Sequence, residues 1–140
     1  MGKIKANQPP AQGGRIPAQK PPLTDDKVAF SFKHLDLTSA KFSLGHCKTT
    51  YLQKFLERLK ALNGMVADEI RANKSKSLRA HSIDWKDTTE KTGFSLTEQL
   101  RNLPAWQFEI SSNEHGRVHG FFIDRIFFVV WIDPNHMLYA

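Results

Sequence analysis

The run RVHGFFIDRIFFVVWI, residues 117–132, decides the fold class of this 140-residue chain. Residues 117–123 and 126–132 are rich in β-branched and aromatic side chains, which favour strands. The dipeptide Asp124-Arg125 between them has the length of a tight hairpin turn. This stretch therefore predicts two antiparallel strands joined by a short turn.

A third strand precedes this hairpin. Residues 106–111 alternate between apolar and polar side chains, and the polar segment 113–116 separates them from the hairpin as a turn. Asp133-Pro134 ends the last strand. The C-terminal part of the chain is therefore predicted as a three-stranded antiparallel meander.

The faces of the hairpin follow from its register. Pairing of Ile123 with Ile126 would place one set of side chains on a common face, namely Arg117, His119, Phe121, Phe128, Val130 and Ile132. The opposite face would carry Val118, Gly120, Phe122, Phe127, Val129 and Trp131. Both faces are largely apolar, so one packs against helices, and the other is either covered as well or open as a binding surface.

The first half of the domain supplies one strand and the helices. Residues 28–33 alternate with a period of two, which predicts a strand. Apolar side chains from Tyr51 to Leu62 recur at three- and four-residue spacing, which predicts a helix. A strand, helices and a meander in this order define an α+β fold: an antiparallel sheet, made of the N-terminal strand plus the C-terminal three-stranded meander, with helices packed on one face.

The charge and the prolines divide the chain into a tail and a domain. Residues 1–27 hold five of the seven prolines and have too few apolar side chains to pack, so they are predicted to be a disordered, basic tail. Residues 28–140 form one predicted domain. The formal net charge of the chain is +6, and half of it lies in the tail, which would strengthen attraction to nucleic acid.

Several classes of protein are not expected from this composition. The longest apolar run, residues 126–132, is far shorter than the roughly 18 residues of a membrane helix, so no membrane partner is predicted. A single cysteine, Cys47, allows neither an intrachain disulfide nor a zinc site built from cysteines. The expected protein is cytoplasmic and needs no metal or cofactor.

Four residues around the meander have the chemistry of a metal-independent ribonuclease. Histidine exchanges protons near neutral pH, and arginine holds a phosphate. Such an enzyme needs a base for the ribose 2′-hydroxyl, an acid for the leaving oxygen and a cation. The candidate catalytic residues are Arg117, His119, His136 and Tyr139. The alternative interpretation is that these are turn and edge residues in ordinary hydrogen bonds.

A second group of residues is typical of nucleic-acid binding. Basic side chains in and near the polar segment 71–77 are candidate phosphate contacts, and a tryptophan is a candidate for base stacking. The candidates are Arg71, Lys74, Lys76, Arg79, Trp85 and Arg125. His81 and Arg79 would share a face if this stretch is extended. The alternatives are a solvated loop and a tryptophan that belongs to the core.

The order of elements, the hairpin GFFIDRIFFVVWI and the terminal His136 and Tyr139 resemble the RelE/ParE superfamily of small bacterial toxins. The resemblance implies a ribonuclease that acts on mRNA at the ribosome, or, for the ParE type, a protein that targets gyrase. It implies a cognate antitoxin as partner, Arg117 as the contact to the scissile phosphate, His136 as general acid and Tyr139 as the aromatic that positions a base. His119 has no fixed counterpart and is an additional candidate base.

Two hypotheses from different classes follow. The first is a toxin-antitoxin-type RNA endonuclease, whose catalytic side chains should converge on one concave surface. The second is a non-catalytic module of a mobile element or of another bacterial protein, which binds nucleic acid or a protein partner without turnover. Binding to nucleic acid should weaken steeply with salt, whereas binding to a protein should not.

Overall fold

A computed structural model describes residue 18 and residues 26–75, 77–111 and 116–139, and within these ranges the chain forms five strands and three α-helices. The strands are β1 (Ala29–Ser31), β2 (His81–Ser82), β3 (Ala105–Glu109), β4 (Arg117–Ile123) and β5 (Ile126–Asp133). The helices are α1 (Thr49–Leu62), α2 (Ala67–Ala72) and α3 (Glu98–Arg101). The α+β class and the three strands of the meander are confirmed. The predicted tail lies outside the described residues except for Ala18, Asp26 and Lys27.

The strands form one sheet in the order β1-β5-β4-β3-β2. The sheet is mostly antiparallel, but β1 runs parallel to β5, with Ala29 opposite Ile126. The expectation that the N-terminal strand joins an antiparallel sheet is therefore wrong for this pair. A long connection that contains helices joins β1 to the meander, and such a connection permits the parallel orientation, whereas a hairpin does not.

Helices α1 and α2 cover one face of the sheet. The apolar stripe of α1 buries Tyr51, Phe55, Leu59 and Leu62, as the helical spacing predicts. These side chains pack in one cluster with strand residues that include Phe108, Val118, Phe127, Val129 and Ile132. Burial of this stripe holds α1 on the sheet, because a helix of this length is marginal on its own in water.

The opposite face is covered by short and irregular segments. Phe42 stacks on Trp131 with ring centroids 4.5 Å apart, and Phe94 lies 4.8 Å from the same ring. Leu138, near the C-terminus, is fully buried in this second cluster, which also includes Phe121. Of the two possibilities for this face, the structure shows the covered one. None of the helices in the described ranges is long and apolar enough to cross a membrane.

A β-bulge divides the hairpin. From the turn to Gly120 the pairing follows the predicted register, with Ile123 opposite Ile126 and Gly120 opposite Val129. The register then shifts by one residue, so that His119 lies opposite Trp131. The predicted faces are therefore wrong beyond the bulge. Paired residues share a face, so the side of Arg117 and His119 carries Trp131 and Asp133 instead of Ile132.

Candidate functional site

A cavity of about 240 Å³ opens at the end of the hairpin that lies away from the turn. Strands β2, β3, β4 and β5 each contribute a side chain, and the segment after β5 contributes two more. The lining residues are His81, Gln107, Arg117, Asp133, His136 and Tyr139. A cluster of polar groups from so many separate elements is typical of a ligand site.

The strand register explains why these side chains meet. His81 of β2 lies opposite Gln107 of β3, and Glu109 of β3 lies opposite Arg117 of β4. Arg117 in turn lies opposite Asp133 of β5. Directly paired residues project from the same face of a sheet, so four strands present polar groups in adjacent rows.

A buried pair, His119 and Asp133, supports one wall of the cavity. The His119 Nε2 hydrogen donates to Asp133 Oδ2 at 3.1 Å, and both side chains are almost fully buried. Burial lowers the pKa of His119, against the opposing bond to Asp133, so the ring is neutral. Burial alone would raise the pKa of Asp133, but hydrogen bonds from His119 and from two backbone N–H groups hold it below its usual value.

Asp133 also fixes the segment that follows β5. Its Oδ1 accepts the backbone N–H of Met137 at 2.7 Å, and its Oδ2 accepts that of Leu138 at 3.0 Å. These bonds turn the chain back over the sheet and leave His136 at a φ of 56°. Non-glycine residues adopt this left-handed conformation rarely, and such strain concentrates at functional sites.

His136 is held by two donors. Its Nε2 accepts the backbone N–H of Gly116 at 2.9 Å and lies 3.2 Å from Arg117 Nη1. An amide and a guanidinium only donate, so Nε2 carries a lone pair and the ring proton sits on Nδ1. Gly116 has a φ of 78°, and a Cβ there would lie 2.6 Å from Pro134 Cα, so only glycine fits this approach.

Two charged side chains lie close to Arg117. Its Nη2 lies 3.5 Å from Glu109 Oε2, and Arg79 Nε lies 3.3 Å from the same oxygen. Glu109 is buried, whereas Arg79 is exposed and has a φ of 42°. Two guanidinium groups share the Glu109 carboxylate, and Asp133 adds a second carboxylate to the cavity lining, so these charges balance and Arg117 is the cationic side chain in the lining.

Tyr139 lies across the cavity, next to His81. The two rings meet edge to face, with their centroids 6.0 Å apart. Burial raises the pKa of the Tyr139 hydroxyl, against an opposing backbone hydrogen bond from Asp84, so the phenol is protonated at neutral pH. An aromatic ring that is partly exposed at a cavity offers a surface on which a base can stack.

Three of the four predicted catalytic residues therefore meet in one cavity: Arg117, His136 and Tyr139. His119 does not line this cavity. Its side chain is fully buried and bonded to Asp133, so in this structure it has no access to a substrate. The prediction of His119 as a base that reaches solvent fails because the bulge brings Asp133 onto its face and the second apolar cluster covers it.

The predicted nucleic-acid contacts do not gather at the cavity. Arg71 pairs with Asp68 at 2.6 Å and lies over the ring of Phe122, and Lys74 donates to the Ala80 carbonyl oxygen at 2.7 Å. Phe122 packs against the face that α1 and α2 cover. Lys76 lies outside the described residues. Arg79 alone of this basic run comes near the cavity, through Glu109.

Trp85 and Arg125 also lie apart from the cavity. Trp85 is half-buried against Phe94 and Trp131, with ring centroids 4.9 and 6.0 Å away, so it belongs to the second apolar cluster. Arg125 sits in the hairpin turn, where its Nη1 donates to the Lys27 carbonyl oxygen at 3.4 Å. The turn lies at the opposite end of β4 from Arg117, a strand length of about 20 Å away.

Sequence reasoning missed part of the site. The sequence does not indicate Gln107 as part of the site and groups His81 with Arg79 instead, because the pairing of Gln107 with His81 needs β2, a strand of only two residues. A neighbouring cavity of about 430 Å³ was also missed. Its lining residues are His46, Lys48, Thr50, Tyr51, Lys54, Pro134 and Asn135. The spacing of Lys48 and Lys54 at the start of a helix was the available signal for this basic surface.

Comparison with family models, with curated proteins and with solved structures finds no significant match to this chain. Within residues 26–75, 77–111 and 116–139, no group of three or more His, Cys, Asp or Glu side chains is placed to hold a metal ion. The relation to the RelE/ParE superfamily therefore stays a prediction.

Proposed function

We propose that this protein is a metal-independent RNA endonuclease whose active site is the cavity between Arg117, His136 and Tyr139. The observation that carries the proposal is the contact between Arg117 Nη1 and His136 Nε2, which lie 3.2 Å apart at the cavity wall. A fixed cation beside a basic lone pair is what a nucleophilic attack on a phosphodiester requires.

The geometry favours a particular distribution of roles. Arg117 binds the scissile phosphate and stabilises the extra negative charge of the pentavalent transition state. His136 Nε2 has one lone pair, which is freed when the bound phosphate displaces both Arg117 Nη1 and the Gly116 N–H, and it then accepts the proton of the ribose 2′-hydroxyl. The 2′-oxygen then forms a bond to phosphorus, and the bond to the 5′-oxygen breaks. The products are a 2′,3′-cyclic phosphate and a 5′-hydroxyl end.

The leaving oxygen needs a proton, and in this proposal Tyr139 supplies it. The phenol is protonated at neutral pH, and its oxygen accepts a backbone hydrogen bond from Asp84, which leaves its own hydrogen available to the substrate. The proton taken by His136 returns to Tyr139 through solvent. The resemblance implies that His136 is the acid, but the two donors on Nε2 favour its action as the base.

The nature of the nucleophile favours RNA over DNA. A histidine base activates the neighbouring 2′-hydroxyl, which DNA lacks. The second cavity is lined by Pro134, which follows Asp133 in the chain, and Lys48 and Lys54 line it with positive charge. These side chains suit the backbone of the adjoining nucleotides.

The test is cleavage of a labelled RNA in EDTA, both free and on translating ribosomes, with detection of the 2′,3′-cyclic phosphate. Wild-type protein should cleave RNA and should not cleave its 2′-O-methyl counterpart. His136→Ala should lose about 100-fold or more in rate. His34→Gln is the matched control, because His34 packs on Phe121 and Phe128 away from the cavity.

Other outcomes would overturn the proposal. Cleavage of 2′-O-methyl RNA, or unchanged cleavage by a folded His136→Ala protein, would place the chemistry elsewhere. RNA binding that falls steeply with salt, without cleavage in either assay, would favour the non-catalytic binding module. In a bacterial host, induction of the wild-type chain should arrest growth with loss of RNA, and the His136→Ala chain should do neither.

A further inference from the structure

The second cavity, of about 430 Å³, is the more basic of the two cavities. Lys48 and Lys54 line it, and no aspartate or glutamate is among its lining residues. The first turn of α1, which begins directly after Lys48, also lacks an acidic side chain. In the first cavity, by contrast, the charge of Arg117 is balanced by Asp133 in the same lining. An anion is therefore attracted more strongly to the second cavity.

The polar groups of the second cavity are available to a ligand. The side chains of Lys48 and Lys54 are exposed, and neither forms an ion pair with another described residue. Thr50 and Asn135 add a hydroxyl and an amide, both of which can donate to an anion. Burial raises the pKa of the Tyr51 hydroxyl, so this phenol adds no negative charge. The lining therefore offers two cations and two neutral donors to one anionic group.

The two cavities lie on either side of a short stretch of chain. The segment 133–136 contributes its two end residues to the lining of the first cavity and its two middle residues to that of the second. On the wall of the second cavity, the Tyr51 hydroxyl donates to the Arg117 carbonyl oxygen at 3.5 Å. Arg117 belongs to the first cavity through its side chain. One strand of nucleic acid that crosses segment 133–136 would therefore contact both cavities.

We propose that Lys48 and Lys54 bind the phosphate next to the scissile one in the second cavity, so that the protein takes RNA as a single strand of at least three nucleotides. The proposal deepens the proposed function and rests on it for the choice of RNA and for the scissile phosphate at Arg117. A dinucleotide has one internucleotide phosphate and would occupy the first cavity alone. The two lysines are binding residues, because they contact the substrate away from the reacting atoms.

The test compares two oligonucleotides that the proposed mechanism cannot cleave, because they lack the 2′-hydroxyl. The thymidine dinucleotide has one internucleotide phosphate, and the thymidine trinucleotide has two. Titration by calorimetry should show the trinucleotide binding about tenfold more tightly to the wild-type protein, the worth of about one hydrogen bond to a charged group. Equal affinities, or no binding of the trinucleotide at millimolar concentration, would overturn the proposal.

A double variant separates the phosphate contact from stacking of the third base. The protein that carries Lys48→Ala and Lys54→Ala should bind the two oligonucleotides equally well. Its slope of log K against log salt for the trinucleotide should be shallower by about 0.7, the value for one phosphate contact in a single strand. Its melting temperature should not change, because both side chains are exposed.

Lys60→Ala is the matched control for the double variant. Lys60 is an exposed lysine in the last turn of the same helix, and it does not line the second cavity. This variant should keep the tenfold advantage of the trinucleotide. An advantage that persists in the double variant, or that Lys60→Ala also removes, would overturn the role of the second cavity.

Failure of this inference is distinguishable from failure of the proposed function. With a trinucleotide RNA, the double variant should raise KM about tenfold and leave kcat unchanged, because the contact is equal in the ground state and the transition state. Cleavage that depends on His136, with a KM that the double variant does not alter, would overturn the second cavity alone. A lysine-dependent preference for the trinucleotide, in a protein that cleaves no RNA, would overturn the nuclease and leave the phosphate site in place.

Discussion

The two ends of the β4–β5 hairpin differ in every respect that matters for function. At the turn end, Ile123 lies opposite Ile126 and Phe122 opposite Phe127, in the regular register that alternation predicts. At the open end, Arg117 lies opposite Asp133, and the polar cavity begins there. One extra residue in β5 separates the two ends. The difference teaches that a single bulge converts an apolar hairpin into the wall of a polar site.

The largest effect is expected from a substitution at the β-bulge, which separates the two ends of the hairpin. A Cβ at Gly120 would lie 2.0 Å from the Phe128 carbonyl oxygen and 2.8 Å from the Phe127 ring. Gly120→Ala should therefore lower the free energy of unfolding by about 3 kcal/mol, as measured by urea denaturation. Gly64→Ala is the control, since its Cβ would meet only the Ala61 carbonyl oxygen at 3.5 Å, and it should not destabilise the protein. Equal effects of the two changes would contradict this account of the bulge.

The contacts at the open end of the hairpin can be removed by a substitution that leaves the turn unchanged. Asp133→Asn keeps the shape of the side chain but has too few acceptors for His119 and two backbone N–H groups. We expect a loss of about 2 kcal/mol in the free energy of unfolding. The rate of the proposed RNA cleavage should fall further than stability explains, because the turn that carries His136 loosens.

The control for this change is Asp87→Asn, whose carboxylate is exposed and should alter neither stability nor rate. An Asp133→Asn protein with full activity would show that the segment after β5 is held by other contacts.

The pH dependence of stability tests the protonation state of His119 in the buried pair that it forms with Asp133. The pKa of His119 is lower in the folded protein than its ordinary value of 6.5, so below that pH the unfolded chain binds the extra proton. Stability should therefore fall as the pH drops below 6.5, by about 1.4 kcal/mol per pH unit from this residue. Equilibrium unfolding of wild-type and His119→Gln proteins between about pH 7 and about pH 5 measures the difference. Parallel curves would show that folding leaves the pKa of His119 unchanged.

The smallest effect is expected at the turn. Asp124 has a φ of 52°, which glycine adopts without steric cost. Asp124→Gly should raise the free energy of unfolding by about 0.5 kcal/mol and leave cleavage unchanged. Arg125→Gly, at a residue without positive φ that also donates to Lys27, should lower it. Stabilisation by both changes would mean that backbone strain is not the cause.

How much the sequence predicts differs in the same way between the two ends. The hairpin, its turn and the α1 stripe follow from local periodicity and were predicted at nearly their observed bounds. The faces of β4 and β5 beyond Gly120 do not follow from the sequence, because a bulge adds one residue without changing the alternation of apolar and polar side chains. An isolated glycine inside a strand was the available signal.

The site was predicted in part for a related reason. Arg117, His136 and Tyr139 were found because they lie close together near the end of the chain. Gln107 and His81 depend on a pairing between β3 and a two-residue strand, which no local pattern encodes. The burial of His119 depends on Phe42, which stacks on Trp131 from a distant irregular segment.

The parallel pairing of β1 with β5 has a consequence for how the chain acquires its shape. The two strands are roughly 100 residues apart in sequence, and β5, which follows the other four described strands in the chain, enters between β1 and β4. Helices α1 and α2 thus lack much of the surface they pack on until β5 exists. The sheet should therefore form only after β5 has been synthesised, and slowly for its size. During synthesis the apolar stripe of α1 would stay available to chaperones.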